Sequence, residues 1–243
     1  MRFAEQLRRH VFWINDRFRG ERITSHYRDL AFLLNNPNRK FLDLHQSKAL
    51  KSLLDYSIYT TRFYSVHKYF GSINDFPVIN KSIIKENFTD FLSVKYDVAD
   101  LHKVTTSGST GAPLTVYQDK VKRARHQADN IYFSEIGGYK IGTRLYYLRV
   151  WNDMNRKSPV QRFMQNIVMV DAGDLSDDSL KSFIERIKKD SSTISLLAFS
   201  STYEALSHYL TKNNNPERLN ISSIITMSEA LPDGAKQRLR EVF

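Results

Sequence analysis

Cysteine is absent from the 243 residues of this chain. Disulfide bonds, zinc ribbons and thiol catalysis are therefore excluded, and the absence agrees with a reducing compartment such as the cytoplasm. Long apolar runs are missing as well, since stretches such as Ala31–Leu34 and Ile167–Val170 fall far short of the roughly 20 residues that span a bilayer. The sequence thus predicts a cytoplasmic protein with no membrane span.

The sequence also lacks the short motifs that mark common catalytic sites. It has no Gly-x-Ser-x-Gly nucleophile elbow and no His-Glu-x-x-His zinc helix, and its 7 histidines have no metal-ligand spacing. Long runs of basic residues are absent too, because Arg8–Arg9 and Lys188–Lys189 are only pairs. The sequence therefore predicts no metal site and no basic nucleic-acid tail.

Positive charge is what the chain has in excess. Its 36 Lys and Arg against 26 Asp and Glu give a net charge of +10, which favours anionic partners such as nucleotides, nucleic acid, coenzyme A or an acidic membrane surface. The alternative is a basic protein kept soluble by its charge. Hydrophobic residues make up 41% of the chain, enough for a core, and the length suits one large domain or two small ones.

One stretch, residues 103–117, organises the rest of the sequence. Every residue of Thr105–Gly111 is Thr, Ser or Gly, so that backbone amides and hydroxyls can converge on one anion, as in a phosphate site. Pro113 stops a helix and Leu114–Tyr117 alternates like a strand, which places the loop between two strands. A Walker-type P-loop is disfavoured because Leu114 occupies the place of its lysine. A flexible turn of small polar residues remains the alternative.

The second half of the chain alternates helix and strand. Residues 175–179 open an amphipathic helix whose predicted apolar stripe is Leu180, Phe183, Ile184 and Ile187. Strands are predicted at Ile194–Phe199 and Ile221–Met227, each with a helix after it. This alternation predicts a parallel α/β layer, in which ligands usually lie at the turns that follow the strands. The two turns are Phe199–Tyr203 and Met227–Leu231.

The N-terminal part is predicted to be an accessory segment. Residues 1–45 are rich in arginine and aromatic residues and are predicted to form an arm packed on the main domain, residues 46–243. Arginine interleaved with aromatic residues is also typical of nucleic-acid stacking, which is the less favoured interpretation. A capped amphipathic helix is predicted to follow Ser47 and to run towards Ser57.

The loop Thr106–Leu114 resembles the phosphate-binding signature of the AMP-forming acyl/aryl adenylating superfamily. Its final leucine, where many members carry lysine, is similar to the branch of phenylacetate-coenzyme A ligases and of CapK-like proteins of capsular polysaccharide biosynthesis. A Phe-Pro-x-x-x-Lys segment at Phe76–Lys81 and a Gly-x-Arg at Gly142–Arg144 follow the order of that branch. So does the strand predicted at Leu145–Trp151, which ends in tryptophan. The resemblance implies an α/β fold with mixed and parallel sheets flanked by helices: the N-terminal part of the adenylate-forming ligase fold, incomplete at the C-terminus.

The resemblance also implies ligands and site residues. ATP and Mg2+ are the expected cofactors, with coenzyme A as an expected acyl acceptor and a small carboxylate as substrate. Glu229 would border the nucleotide, although Ser228 replaces the glycine of the family's Gly-Glu-x-Leu turn, and Glu229 is equally interpreted as a helix N-terminal carboxylate. Ser200, Ser201 and Tyr203 would line the acyl pocket. The residues that would hold the phosphates are Thr106, Ser107, Gly108, Ser109, Thr110 and Gly111.

Only the front part of the family's length is represented, from about Ala49 onward. The segment that helps hold magnesium, the ribose-binding aspartate and the C-terminal domain with its lysine cannot be placed, so catalysis by this chain alone is expected to be weak. The first alternative is a truncated, non-catalytic relative that associates with a partner chain or with the missing C-terminal half. The second is a basic nucleic-acid binder.

Overall fold

The computed structural model describes residues 3–106, 113–153, 155–213 and 219–242. None of the helices within these residues has both the length and the apolar character needed to cross a membrane. The helices are, in chain order, α1 (Phe3–Phe18), α2 (Arg22–Leu34), α3 (Arg39–Thr60), α4 (Lys81–Glu86), α5 (Lys120–Ile136), α6 (Pro159–Gln165), α7 (Asp177–Lys189), α8 (Ser200–Lys212) and α9 (Asp233–Val242). The strands are β1 (His102–Thr105), β2 (Thr115–Gln118), β3 (Arg144–Arg149), β4 (Ile167–Asp171), β5 (Ile194–Phe199) and β6 (Ile221–Met227).

The chain divides into two compact units. The larger unit combines Met1–Thr24 with Ala128–Phe243, and the smaller unit is Ser25–Gln127. The division predicted between residues 45 and 46 falls inside α3.

A parallel four-stranded sheet with the order β4–β3–β5–β6 is the framework of the larger unit. The predicted α/β layer is confirmed, and β5 and β6 begin and end at the predicted residues. The sequence analysis did not predict β4 or the short α6 before it. The apolar run at Ile167–Val170 has no alternation, and such a run does not by itself distinguish a strand from a helix segment.

One face of the sheet forms the core of the larger unit. Tyr146, Leu148, Leu196 and Ala198 are no more than 2% exposed, and they belong to one apolar cluster with side chains from three helices, α7, α8 and α9. The stripe predicted on α7 is fully buried in this cluster, and Ser176 caps the helix by accepting a hydrogen bond from the amide of Ser179. The members of the stripe are Leu180, Phe183, Ile184 and Ile187.

The opposite face is only half covered towards the carboxyl ends of the strands. Because side chains alternate along a strand, residues next to those of the core point to this second face. Tyr147 and Leu197 lie side by side in the register of β3 and β5, and both are half-buried. Arg149, Ile225 and Met227 have the same intermediate exposure on this face.

The smaller unit is organised around α3 and a cluster of aromatic rings. The rings of Phe63 and Phe91 stack with centroids 4.0 Å apart, and Tyr64 packs against the edge of Phe91 at 5.7 Å. The prediction that a helix begins after Ser47 is wrong. Asn38 caps α3 through its side-chain oxygen, which accepts from the amide of Phe41, whereas the Ser47 hydroxyl lies inside the helix and donates to the carbonyl of Asp43.

Strands β1 and β2 form an antiparallel pair in the smaller unit. This confirms that the Thr/Ser/Gly loop connects two strands, as predicted. The amide of Thr106 donates to the carbonyl of Leu114 at 2.9 Å, and the amide of Leu114 donates to the Thr106 hydroxyl at 3.0 Å. These two bonds close the base of the loop.

Candidate functional site

The order of the strands identifies one crevice of the sheet as a candidate ligand site. From β3 the chain moves to β4 on one side, and it then crosses to β5 on the other side of β3. In parallel α/β sheets, such a reversal opens a crevice beyond the carboxyl ends of the two strands that flank it. The flanking strands here are β3 and β5, so the residues that end these strands define the candidate site.

Arg149, the last residue of β3, lies next to two aromatic rings at this point. Its guanidinium carbon is 5.6 Å from the ring centre of Tyr147 and 5.4 Å from that of Trp151, distances at which a cation is attracted to an aromatic face. The two rings meet edge to face with centroids 5.0 Å apart. We call these three residues the arginine clamp.

Hydrogen bonds anchor the arginine clamp to the sheet. The indole Nε1 of Trp151 donates to the carbonyl of Val170 on β4 at 2.9 Å. Arg149 Nη1 donates to the Tyr147 hydroxyl at 3.2 Å, and that hydroxyl donates to Met227 Sδ on β6 at 3.5 Å. The clamp is thus tied to β4 on one side of β3 and to β6, beyond β5, on the other.

No carboxylate of the described residues forms an ion pair with Arg149, and its Nε is buried without a hydrogen-bond acceptor. Two other half-buried arginines do form ion pairs: Arg9 pairs with Glu135 at 2.9 Å and Arg144 with Asp190 at 3.3 Å. A half-buried charge is normally paired, because removing it from water is unfavourable. Arg149 therefore has spare capacity to bind an anion.

The segment after β5 is helical from its first residue, so the predicted turn at Phe199–Tyr203 is the first turn of α8. Ser200 is buried, and its hydroxyl donates to the carbonyl of Ala230 at 3.0 Å, which joins the ends of β5 and β6. The side chain of Ser201 is exposed. Both serines lie at the carboxyl edge of the sheet, and their contact with a substrate stays a prediction.

Tyr203 lies in the core and has no exposed surface. Its hydroxyl donates to the carbonyl of Ile225 at 3.2 Å, and burial raises its pKa well above the ordinary value. In this position the side chain holds α8 against β6. Its predicted place in an acyl pocket stays a prediction, which would require the ring to leave the core.

The turn after β6 has a strained backbone at the position where the resembling family carries glycine. Ser228 has φ of 68°, in the left-handed region that glycine adopts most easily. The turn therefore keeps the glycine-type conformation although serine occupies it. Glu229 follows with an exposed side chain, and its amide donates to the carbonyl of Met227 at 2.8 Å. Its role beside a nucleotide stays a prediction.

The predicted phosphate loop belongs to the smaller unit. Ser107, Gly108, Ser109, Thr110 and Gly111 lie outside the described residues. Thr106 is described and closes the base of the loop with Leu114. Among the described residues, no group of three or more His, Asp or Glu side chains is arranged to hold a metal ion.

Comparison with known proteins gives a likeness of structure and none of sequence. No family model and no curated protein matches the sequence. A crystal structure of 2-hydroxyisobutyryl-CoA ligase, in complex with 2-HIB-AMP and CoA in the thioesterification state, is similar, with a TM-score of 0.62 at 16% sequence identity. The likeness covers 85% of this chain and 48% of that ligase.

The chain has the fold of part of this ligase. It spans about half the length of the ligase that it matches. The fold class implied by the loop and by the order of the later segments is therefore confirmed for the α/β layer and its flanking helices. The CapK branch is not tested by this likeness.

Sequence reasoning did not single out Arg149 as a site residue. The segment Leu145–Trp151 was interpreted only as a strand that ends in tryptophan. The available signal was a charged residue at the carboxyl end of an otherwise apolar strand, which is where α/β proteins place ligand-binding groups. That β3 is a central strand next to the crevice follows only from the strand order.

Proposed function

We propose that this chain is part of an AMP-forming ligase that activates a small carboxylic acid with ATP. The observation that carries the proposal is the shared fold over 85% of the chain, combined with the Thr/Ser/Gly loop between β1 and β2. In the proposed reaction, a carboxylate oxygen of the acid displaces pyrophosphate from the α-phosphorus of ATP. Coenzyme A or another acceptor then takes the acyl group and releases AMP.

The described residues fit a phosphate site at the loop in one respect. Two hydrogen bonds join Thr106 to Leu114 at the two ends of the Thr/Ser/Gly segment, and a segment of such residues offers many amides and hydroxyls to an anion. Mg2+ bound with ATP would supply positive charge to the phosphate oxygens. In this proposal, Thr106 to Gly111 hold the phosphates and Glu229 borders the nucleotide.

A narrower assignment concerns the branch of the superfamily. Leu114 at the end of the loop and the Phe-Pro-x-x-x-Lys segment at Phe76–Lys81 support a phenylacetate-CoA ligase-like or CapK-like protein. If the chain is CapK-like, a role in capsular polysaccharide biosynthesis would follow. The acid to be activated is then an aryl or acyl carboxylate, and Ser200, Ser201 and Tyr203 are the residues proposed for its pocket.

A second candidate function is association with another chain, without catalysis. β6 is an edge strand of the sheet, and its outer backbone groups have no strand partner among the described residues. An open edge of this kind can pair with an added strand. This candidate predicts that the purified chain self-associates or binds a complementary fragment, and that substitution in the loop leaves such association unchanged.

Calorimetric titration of magnesium-ATP into the chain and into Gly111→Val tests the proposed function. The valine side chain would crowd a loop of small residues, so we expect at least a tenfold weaker affinity, or about 1.4 kcal/mol. Gly71→Val is the matched control in the same unit, because a Cβ there meets only the Asp75 carboxylate at 3.7 Å, an ordinary contact. Equal binding by wild type and Gly111→Val, or no binding by wild type, would contradict the proposal.

A further inference from the structure

We propose that Arg149 binds the carboxylate of a small apolar acid at the carboxyl end of β3. This inference rests on the proposed function, because it assigns a recognition group to the acid that the ligase would activate. The residues that carry it are the arginine clamp, Arg149 with Tyr147 and Trp151, and the half-buried sheet face beside it.

The first argument is the charge balance around Arg149. Its guanidinium is half-buried, Nε lacks an acceptor, and Nη1 donates only to a neutral tyrosine hydroxyl. The carboxylate nearest to it in register is Asp171 on β4, whose Oδ1 accepts a hydrogen bond from the amide of Gly173 at 3.0 Å. No carboxylate of the described residues thus lies within ion-pair distance of the guanidinium, and an incoming anion could pair with it directly.

The second argument is geometric. A guanidinium offers parallel N–H groups that match the two oxygens of a carboxylate, and an arginine already held by stacking loses little freedom on binding. Trp151 is fixed by Val170 and Tyr147 by Met227, so the clamp is formed before any ligand arrives. Preorganised donors of this kind bind more tightly than mobile ones.

The third argument decides which anion fits. Beside the clamp, the sheet face presents half-buried apolar side chains: Leu197, Phe199, Ile225 and Met227. These groups favour the body of an aryl or acyl acid and offer nothing to the further oxygens of a phosphate chain. The same guanidinium could bind a phosphate by charge alone, so the experiment includes both kinds of anion.

Trp151 provides the signal for the test. The chain has 2 tryptophans, and Trp13→Phe leaves Trp151 as the single indole, 5.4 Å from the Arg149 guanidinium. Phenylacetate is titrated into this variant and followed by tryptophan fluorescence, with the neutral amide phenylacetamide and with inorganic phosphate in parallel. We expect phenylacetate to bind saturably. Phenylacetamide should bind at least about tenfold more weakly because it lacks the charge of the carboxylate. Phosphate should also bind at least about tenfold more weakly, because it lacks an apolar body to contact the sheet face.

Three variants of the same protein test the residue. Arg149→Met should weaken phenylacetate about tenfold to a hundredfold and abolish the preference for acid over amide. Arg149→Lys should retain part of that preference, because the charge remains while the fork of donors is lost. Arg156→Met removes the same charge from an exposed loop position, and it should change neither the affinity for phenylacetate nor the preference for acid over amide. The comparison requires that all variants keep the thermal unfolding midpoint of the parent.

A fourth variant tests the competing carboxylate. Asp171→Asn removes the negative charge next to Arg149 in register, and it should tighten phenylacetate binding severalfold. The inference is overturned if phenylacetate and phenylacetamide bind equally to the Trp13→Phe protein, if phosphate binds and phenylacetate does not, or if Arg149→Met keeps the preference for the acid. If the chain binds the acid but not magnesium-ATP, only the proposed function is refuted. If it binds magnesium-ATP but not the acid, only this inference is refuted.

Discussion

The two faces of the parallel sheet differ in what covers them and in what they contain. The face that includes Tyr146 and Leu196 is sealed by three helices, and the hydroxyls of Tyr146 and Tyr203 in this core are both hydrogen-bonded. The face that includes Tyr147 and Leu197 is half-covered and ends in Arg149, which forms no ion pair with any described residue. Stability is thus concentrated on one face and ligand-binding capacity on the other, although the residues alternate along the same strands.

The largest expected effect comes from two neighbouring leucines on β5. Leu196 is 0% exposed and Leu197 is half-buried on the opposite face. Leu196→Ala should lower the free energy of unfolding by about 2 to 5 kcal/mol because it leaves a cavity in the core. Leu197→Ala should cost about 1 kcal/mol, since part of its surface already contacts water. Urea unfolding of both variants measures the difference in free energy of unfolding. Equal losses of that free energy would show that stability is not concentrated on the Leu196 face.

A smaller difference is expected for the two tyrosines of β3. The Tyr146 hydroxyl donates to Asp190 at 2.9 Å, and this bond together with burial raises the pKa of Tyr146 to about 12. Tyr146→Phe should lower the free energy of unfolding by about 1 to 3 kcal/mol, as expected for a hydrogen bond to a charged group. Tyr147→Phe removes a weak bond to sulfur and a 3.2 Å bond from the partly exposed Arg149. It should cost about 0.5 to 1 kcal/mol and weaken acid binding at the arginine clamp.

The pH dependence of the Tyr146→Phe difference gives a control. Burial raises the pKa of Asp190, but hydrogen bonds from Ser192 and Tyr146 and the charge of Arg144 outweigh it, so the pKa lies below the ordinary 3.8. A lowered carboxyl pKa in the folded state contributes stability above the unfolded pKa, and this contribution is lost as pH falls through the folded value. The wild-type advantage should therefore shrink below about pH 4; an advantage that grows there would contradict the assignment.

The smallest effect is expected where both faces end, at the turn after β6. Ser228→Gly should raise the free energy of unfolding by up to about 1 kcal/mol, because glycine adopts the φ of 68° without strain. Ser201→Gly, in the first turn of α8, should have the opposite sign and cost about 0.5 kcal/mol. Thermal unfolding of the two variants shows whether stability rises in one and falls in the other. Destabilisation by both changes would show that the Ser228 backbone is not strained.

Patterns that are local in sequence predicted much of the fold. The stripe of α7, the strands β5 and β6 and the loop between β1 and β2 were all identified, because each is a long periodic segment or a segment bounded by strong breakers. The start of α3 was missed, since its cap Asn38 adjoins a proline break that suggested a loop.

The candidate site was less accessible to sequence reasoning for a physical reason. Ser200 was placed correctly at the end of β5, because the end of a strand can be read from the strand itself. The lack of an ion pair to Arg149 among the described residues depends on two things. They are the strands that flank β3 and the direction of the Asp171 carboxylate, and the strand neighbours follow only from pairings between distant segments. Tyr203 shows the same limit, since its burial depends on β6 as well as on its own helix.

The crossing of the chain over β3 also has a consequence for how the protein is made. β3 can pair with β4 soon after both leave the ribosome, because only α6 separates them. The other edge of β3 waits until α7 and β5 have been synthesised, and the helices that seal the core face come from these later segments. During translation, the nascent sheet therefore exposes Tyr146 and Leu148 for a period in which a chaperone would protect them.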